Sequence, residues 1–353
     1  MWNFKIGIFE LMSLKSKWRK LKYQIEVLFL PFFARFRKAS ILYYVLFNSE
    51  FGREQQAILN GKLQYQKSLK RKVKSSALLR RNTHRLEKGI IMRPRKDVFA
   101  LDYIHETVAE FVRLKASEDV CEREIKWAGD VINKYFNIIT LKEDLISLRS
   151  TFIDAYGQSD SEENHYIPYK SDCRAKSSIG VDELQALFEQ RRSTRWFQQK
   201  PVDEELLSKA VHLASYAPSA CNRQPYEFMI INDSELIQKV AKIPMGTAGF
   251  HNNIPCLVVV VGDLAAFPEE RDRHVIYIDA SLASMQFMLA LETLGLGSCP
   301  INWPDIEKKE AQMAQELKLC PSKRVVMLIG IGEPDPSGYI PYSQKKSPVT
   351  FIN

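Results

Sequence analysis

Between Pro255 and Gly262 the sequence reads Cys256-Leu257-Val258-Val259-Val260-Val261. A β-branched run bounded by proline and glycine predicts a buried central strand. Phe228–Ile231 and Arg324–Gly330 predict two further strands. Residues 275–294 are almost wholly apolar and stand before Gly295, which predicts a long buried helix. Helices and strands are therefore mixed around one sheet, as in an α/β or α+β sandwich.

Further helices are predicted on either side of these elements. Asp182 is the predicted N-cap of a helix that contains Leu184, Leu187 and Phe188. Another helix begins near residues 201–205, and others cover residues 234–243 and 306–319. The polar stretch at 156–178 predicts a linker before this half of the chain.

The distribution of charge divides the chain in two. The 353 residues are 45% hydrophobic and 26% charged, a globular composition, and their number favours two domains. Residues 1–100 carry 23 Lys/Arg and 6 Asp/Glu, a net charge of +17, and the remainder carries 27 and 36, a net charge of −9. We predict a basic, mainly helical N-terminal region at 1–176 and a second domain at 177–353.

The basic region allows several partners. Residues 1–60 mix aromatics with lysines and arginines, as do helices that lie in a membrane interface, but helices packed on their own domain show the same pattern. Residues 61–96 are strongly basic but lack a nucleic-acid module, so a solvated helical face is expected and nucleic acid is not. A membrane surface or an acidic partner for residues 1–96 stays open. His84 and Glu87 are a candidate functional pair.

Six cysteines occur without a CxxC pair and without metal-ligand spacing. This usage favours free thiols in the cytoplasm, with neither a disulfide framework nor a metal site. The longest apolar stretches near the N-terminus are much shorter than the roughly 20 residues that cross a bilayer. The expected location is cytoplasmic, either free or peripheral at the membrane.

Three clusters can carry chemistry. The first is Arg191-Arg192-Ser193-Thr194-Arg195, at the end of a predicted helix. Guanidinium groups bind phosphate bidentately and keep their charge, so the cluster suits a phosphorylated, polyhydroxylated ligand. A surface arginine cluster is the alternative interpretation.

The second cluster, residues 218–225, reads Pro218-Ser219-Ala220-Cys221-Asn222-Arg223-Gln224-Pro225. Two prolines constrain a loop whose amides and hydroxyl can meet the edge of a planar heterocycle, although a turn into the next strand would look the same. Cys221 adds a thiol that is either reactive or merely packed, with Arg223 as its one basic neighbour in sequence.

The third cluster, residues 295–303, reads Gly295-Leu296-Gly297-Ser298-Cys299-Pro300-Ile301-Asn302-Trp303. Glycine lets the backbone approach a ligand closely. A helix C-cap followed by a short strand is the alternative.

Taken together and in this order, the three clusters resemble the nitroreductase family over about residues 177–353. The resemblance implies an α+β fold with a central, mostly antiparallel sheet flanked by helices. It also implies a homodimer whose subunits exchange terminal segments and share two FMN sites.

The resemblance also assigns roles to residues. Arg191, Arg192, Ser193 and Arg195 would hold the FMN phosphate, ribityl chain and ring edge. Pro218, Ser219, Ala220 and Asn222 would approach the flavin from the partner subunit. Asn302 and Trp303 would contact it through their backbone. Lys345 or Lys346 would contact the phosphate. The family also has a polar residue that contacts the flavin before the strand at Cys256, and Thr247, Asn252 and Asn253 are the candidates for it.

The implied activity is FMN-dependent oxidation of NADH or NADPH, with hydride passed through flavin N5 to a nitroaromatic, a quinone or an activated alkene. The flavin carries the chemistry, so no side chain is expected to act as a catalytic acid, base or nucleophile. The rival hypothesis is a membrane-surface or complex-bound adaptor that uses a flavin-binding fold to form dimers.

Overall fold

The computed structural model describes residues 23–48, 50–70, 75–117, 120–157 and 166–345. The chain forms two compact units, Met1–Gln55 and Gln56–Asn353. The boundary predicted between residues 176 and 177 lies inside the second unit, and it stays a prediction for the folding domains.

The first unit contains a helix over residues 23–35 (α1) and helix α2 (Arg37–Leu46). Phe33, Tyr43 and Phe47 pack against one another, with ring centroids 5.4 to 5.9 Å apart. Tyr43 is the one buried hydrophobic residue in the described part of this unit. Most apolar side chains of α1 and α2 are therefore exposed.

Five helices follow along the chain: α3 (Gly52–Leu69), α4 (Ala77–Ile90), α5 (Ile104–Lys115), α6 (Glu122–Ile138) and α7 (Glu143–Tyr156). Helices α4 to α7 share a hydrophobic core of their own, in which Phe111, Tyr135 and Phe152 are fully buried. The prediction of a mainly helical N-terminal region is confirmed for the part of that region that the structure describes.

The sheet has four strands: β1 (Tyr226–Ile231), β2 (Cys256–Asp263), β3 (Gly297–Asn302) and β4 (Lys323–Gly332). Their order is β1-β2-β4-β3, and every neighbouring pair is antiparallel. Strand β2 is central and buried almost throughout, as its β-branched run predicts. The predicted α+β class with an antiparallel sheet is confirmed.

Five helices surround the sheet: α8 (Val181–Gln190), α9 (Glu204–Ala214), α10 (Ser234–Ala241), α11 (Val275–Thr293) and α12 (Glu307–Glu316). Helix α11 is the predicted long helix, and it packs against α8, α9 and the sheet. The prediction for Asp182 was wrong, because Gly180 is the N-cap of α8 and Asp182 lies in the first turn. An acidic residue is favourable there as well, since it opposes the helix dipole.

A segment at Glu270–Thr293, which includes α11, has the length and composition of a helix that could cross a membrane. Half of its most apolar window is buried inside the protein. Ala280, Phe287 and Leu291 of α11 belong to a hydrophobic core that they share with residues of the sheet. The apolar character of α11 is thus explained by its packing in the fold.

Candidate functional site

The first and third clusters meet at the edge of the sheet. Ser193 forms a parallel β-bridge with Ser298 of β3, and the Thr194 amide donates to the Ser298 carbonyl at 3.0 Å. A Cβ on Gly297 would lie 3.0 Å from the Thr194 hydroxyl, so glycine is needed for this close approach. The arginine cluster is thereby fixed beside β3.

The arginines of the first cluster have no carboxylate partner among the described residues. Arg192 donates to the carbonyls of Phe188 and Arg191, and Arg195 donates weakly to the Ser193 carbonyl at 3.5 Å. Arg191 makes no side-chain hydrogen bond within the described part of the chain. Three half-buried cations side by side repel one another, so the arrangement suits an anionic ligand.

The third cluster forms strand β3, so its predicted alternative as a short strand is correct for residues 297–302. Asn302 is exposed at the end of β3. The Trp303 side chain is buried and donates to the Glu310 carboxylate, which leaves its backbone as the part that a ligand could meet. The Ser298 hydroxyl is buried and has no hydrogen-bond partner among the described residues.

The second cluster forms an irregular loop after α9. Cys221, Asn222 and Gln224 have φ angles of 53°, 50° and 50°, in the left-handed region. Each such non-glycine residue costs of order 1 kcal/mol, which the surrounding contacts must offset. Pro218 and Ala220 are exposed at the surface of this loop.

Asp279 of α11 holds this loop. Its Oδ2 accepts from the Ser219 hydroxyl at 2.7 Å and from the Ala220 amide at 2.9 Å, and the Ser219 Oγ accepts from the Gln224 amide at 2.8 Å. The sequence reasoning missed Asp279, which is 3% exposed. A carboxylate in an otherwise apolar stretch of helix was the signal that could have revealed it.

Arg80 of α4 holds the same loop from the other side and was also missed. Its Nε donates to the Asn222 carbonyl at 2.7 Å and its Nη2 donates to the Gln224 Oε1 at 3.0 Å. These contacts join the helical region to the second cluster. Every residue type has a backbone carbonyl, so no local sequence pattern could have revealed that Arg80 pairs with the carbonyl of Asn222.

Within one chain, no described hydrogen bond or ion pair joins the second cluster to the first and third clusters. Asn253 is the polar residue before Cys256 that contacts the first cluster, since its Nδ2 donates to the Arg195 carbonyl at 2.9 Å. Thr247 is buried and Asn252 is exposed. Lys345 is exposed, and Lys346 lies outside the described residues.

The remaining candidates are the Cys221 thiol and the pair of His84 and Glu87. All six cysteines are free, as predicted, and Cys221 is half-buried, whereas burial raises the pKa of the Cys256 thiol to about 12. The structure brings His84 Nδ1 and Glu87 Oε2 to 3.2 Å, and the Trp127 indole donates to Glu87 Oε1 at 3.0 Å. A functional role for His84 and Glu87 stays a prediction.

These residues fit FMN on chemical grounds. Arg191 and Arg195, which have no carboxylate partner among the described residues, suit a phosphate or an anionic ring edge. The Ser298 hydroxyl, which has no hydrogen-bond partner there, offers one further polar group on β3. The exposed Pro218 and Ala220 present an irregular apolar edge of the second cluster.

Comparison with known proteins finds similarity in the part of the chain that contains the three clusters. The model of the nitroreductase family matches residues 188–251 and 243–333. A putative NADH dehydrogenase/NAD(P)H nitroreductase of Methanothermobacter thermautotrophicus is 31% identical over 119 residues, which are 33% of this chain and 59% of that protein. A protein of the same description from Archaeoglobus fulgidus is 28% identical over 44% of this chain and 87% of its own length.

Among solved structures, an FMN-dependent nitroreductase from Clostridium difficile is similar at 27% identity. The likeness covers 47% of this chain and 98% of that one, with a TM-score of 0.41. The family match begins at the end of α8 and ends after β4, so it includes all three clusters and all four strands. Residues 188–333 of this chain are therefore similar to the nitroreductase family, which confirms the predicted resemblance for the C-terminal half.

Proposed function

We propose that this protein is an FMN-dependent NAD(P)H oxidoreductase that reduces an electron-poor acceptor. The observation that supports this most is the unpaired arginine cluster, fixed beside β3 by the bridge between Ser193 and Ser298. A cationic site without internal carboxylates is costly to maintain unless an anion occupies it. The named activities of the relatives in the same family agree with a flavin and a nicotinamide donor.

Bound FMN would supply the hydride chemistry between NADH or NADPH and a nitroaromatic, quinone or activated alkene. The chain supplies binding and charge. Arg191, with Arg192 and Ser193, would hold the phosphate and ribityl chain, and Lys345 or Lys346 would add a cation. Arg195 would stabilise negative charge that develops at the ring edge, because its guanidinium stays charged at any working pH. The backbone at Asn302 and Trp303 would line the ring.

The test is the visible absorption spectrum of the purified full chain before and after anaerobic addition of NADH or NADPH. We expect oxidised-flavin bands that bleach when the donor is added. The acceptor class then follows from the rates at which a nitroaromatic, a quinone and an activated alkene restore the bands. A colourless protein that added FMN cannot reconstitute would contradict the proposal and favour the adaptor.

A homodimer would complete the site. Six apolar side chains on α8 and α11, which we call the α8–α11 face, are exposed in the described part of the chain: Val181, Leu184, Phe188, Ile278, Leu282 and Met285. Helix α8 has no buried residue at all. Apolar stripes of this kind mark protein interfaces. A second copy on this face would bring the 218–225 loop of one subunit to the arginine cluster of the other, including Pro218, Ser219, Ala220 and Asn222.

The composition of the first unit supports a second proposal, that the protein binds the cytoplasmic surface of a membrane. Helices α1 and α2 expose large apolar side chains, including Tyr23, Leu28, Phe32, Ile41, Val45 and Leu46. Residues 1–55 contain ten Lys/Arg against four Asp/Glu. Apolar and aromatic side chains interspersed with cations suit the interface of an anionic lipid surface.

We expect the full chain to sediment with phosphatidylcholine vesicles only when they contain phosphatidylglycerol, and less so at high salt. Val45→Glu should weaken this binding about tenfold, because the side chain is 73% exposed and would lose its contact with lipid. Tyr339→Glu, at a side chain 93% exposed in the second unit, is the matched control and should bind as wild type. Equal binding to neutral vesicles, or none to either, would refute the membrane role.

A further inference from the structure

Arg80 joins three parts of the second unit at one point. Its guanidinium donates to the 218–225 loop at two places, forms an ion pair with Glu124 of α6 at 3.3 Å, and lies 5.5 Å from the Trp127 ring centroid. The side chains of Arg80 and Glu124 are only 15% and 13% exposed. Its planar fork is therefore fixed in one orientation, with both loop acceptors in reach.

The loop residues that Arg80 contacts are the ones with unusual backbone conformation. Asn222 and Gln224 both have φ near 50°, and Arg80 binds the carbonyl of the first and the side chain of the second. Left-handed non-glycine residues persist only where their surroundings determine them. Asp279 holds the start of this loop and Arg80 holds its end, so both anchors are needed to define the loop.

We propose that Arg80 is a positioning residue for the flavin site: helix α4 holds the 218–225 loop in its ligand-contacting conformation through the Arg80 fork. The inference rests on the proposed function, in which this loop contacts FMN. Helix α4 lies outside residues 188–333, which match the family, so the contact is a contribution of this chain's own N-terminal region. The helical region thereby governs how well the site binds flavin and transfers hydride.

The experiment compares Arg80→Met, Arg80→Lys and Arg85→Met in the full chain. Arg85 is the matched control, because it lies on the same helix, pairs with Asp102 at 3.2 Å and stacks on Tyr103 at 3.6 Å, without touching the loop. Lysine keeps the charge near Glu124 but cannot reach both loop acceptors. Three quantities are measured: the FMN dissociation constant, the rate of flavin reduction by NADH or NADPH under saturating donor, and hydrogen exchange of the 219–224 amides without FMN.

We expect Arg80→Met to slow flavin reduction and weaken FMN binding about 10- to 100-fold, the size of effect that a small misplacement of a reacting group has. Amide exchange in the loop should rise, and Arg80→Lys should resemble Arg80→Met. Arg85→Met should match wild type in all three quantities. If Arg80 had a merely structural role, Arg80→Met and Arg80→Lys would both have a lower melting temperature. The rate of flavin reduction in the folded protein would then be unchanged.

The outcomes separate this inference from the proposed function. If wild-type protein binds FMN but no donor reduces it, the oxidoreductase proposal fails, while FMN affinity and amide exchange still test Arg80. If wild type is reduced normally and Arg80→Met matches it within about twofold, the positioning role is wrong. Unchanged loop exchange in Arg80→Met would also overturn it, even for a chain that binds no flavin.

Discussion

Arg191→Ala is expected to purify with little or no FMN, with affinity about 10- to 150-fold below wild type. Hydrogen bonds to charged groups contribute about 1.5–3 kcal/mol, and each 1.4 kcal/mol is a factor of ten in affinity. Arg191 is the residue of the cluster whose guanidinium has no hydrogen bond to any described residue, so its donors are free for a ligand. Isothermal titration of the apoprotein with FMN measures the loss.

Two further variants make this result specific. Arg192→Ala should lose less affinity, because Arg192 already donates to the Phe188 and Arg191 carbonyls at the end of α8. Arg174→Ala, at an exposed position outside the site, controls for net charge and should bind FMN as wild type does. Full FMN occupancy in Arg191→Ala would remove the assignment of this residue.

Leu282→Arg is expected to convert a dimer into monomers and to remove FMN at the same time. Leu282 is 43% exposed on α11, between Ile278 and Met285 on one helical stripe. In a symmetric interface each substitution counts twice, and burying an unpaired charge costs about 3–5 kcal/mol. The dimer dissociation constant should therefore rise at least about 100-fold. Sedimentation velocity distinguishes the 40.8 kDa chain from its dimer.

Ile146→Arg is the matched control for this change. Ile146 is 56% exposed on α7, which packs against α5 and is not part of the α8–α11 face, so its replacement should leave the dimer and its flavin intact. A Leu282→Arg protein that remains dimeric would place the interface on another face. A monomer that keeps FMN would show that one chain holds the whole site.

Local pattern was enough to predict much of the fold. Strand β2, strand β4 and helix α11 follow from β-branched runs and from an uninterrupted apolar segment, since burial on both sides leaves a direct record in residue type. The arginine cluster was visible as a candidate phosphate site in the sequence, because guanidinium groups at close spacing suit an anionic ligand. The capping of α8 was not, since Gly180 and Asp182 both suit a helix start and only the backbone distinguishes them.

The sequence by itself determined the main strands, the long helix and the resemblance to the nitroreductase family, which implied the α+β class. It also predicted which short segments could carry ligand chemistry. Tertiary structure alone decided how those segments meet. Ser193 pairs with Ser298, Ser219 with Asp279 60 residues away, and Arg80 with Asn222 142 residues away. Such contacts depend on the packing of whole helices and strands, and several of them end on backbone atoms, which every residue type shares.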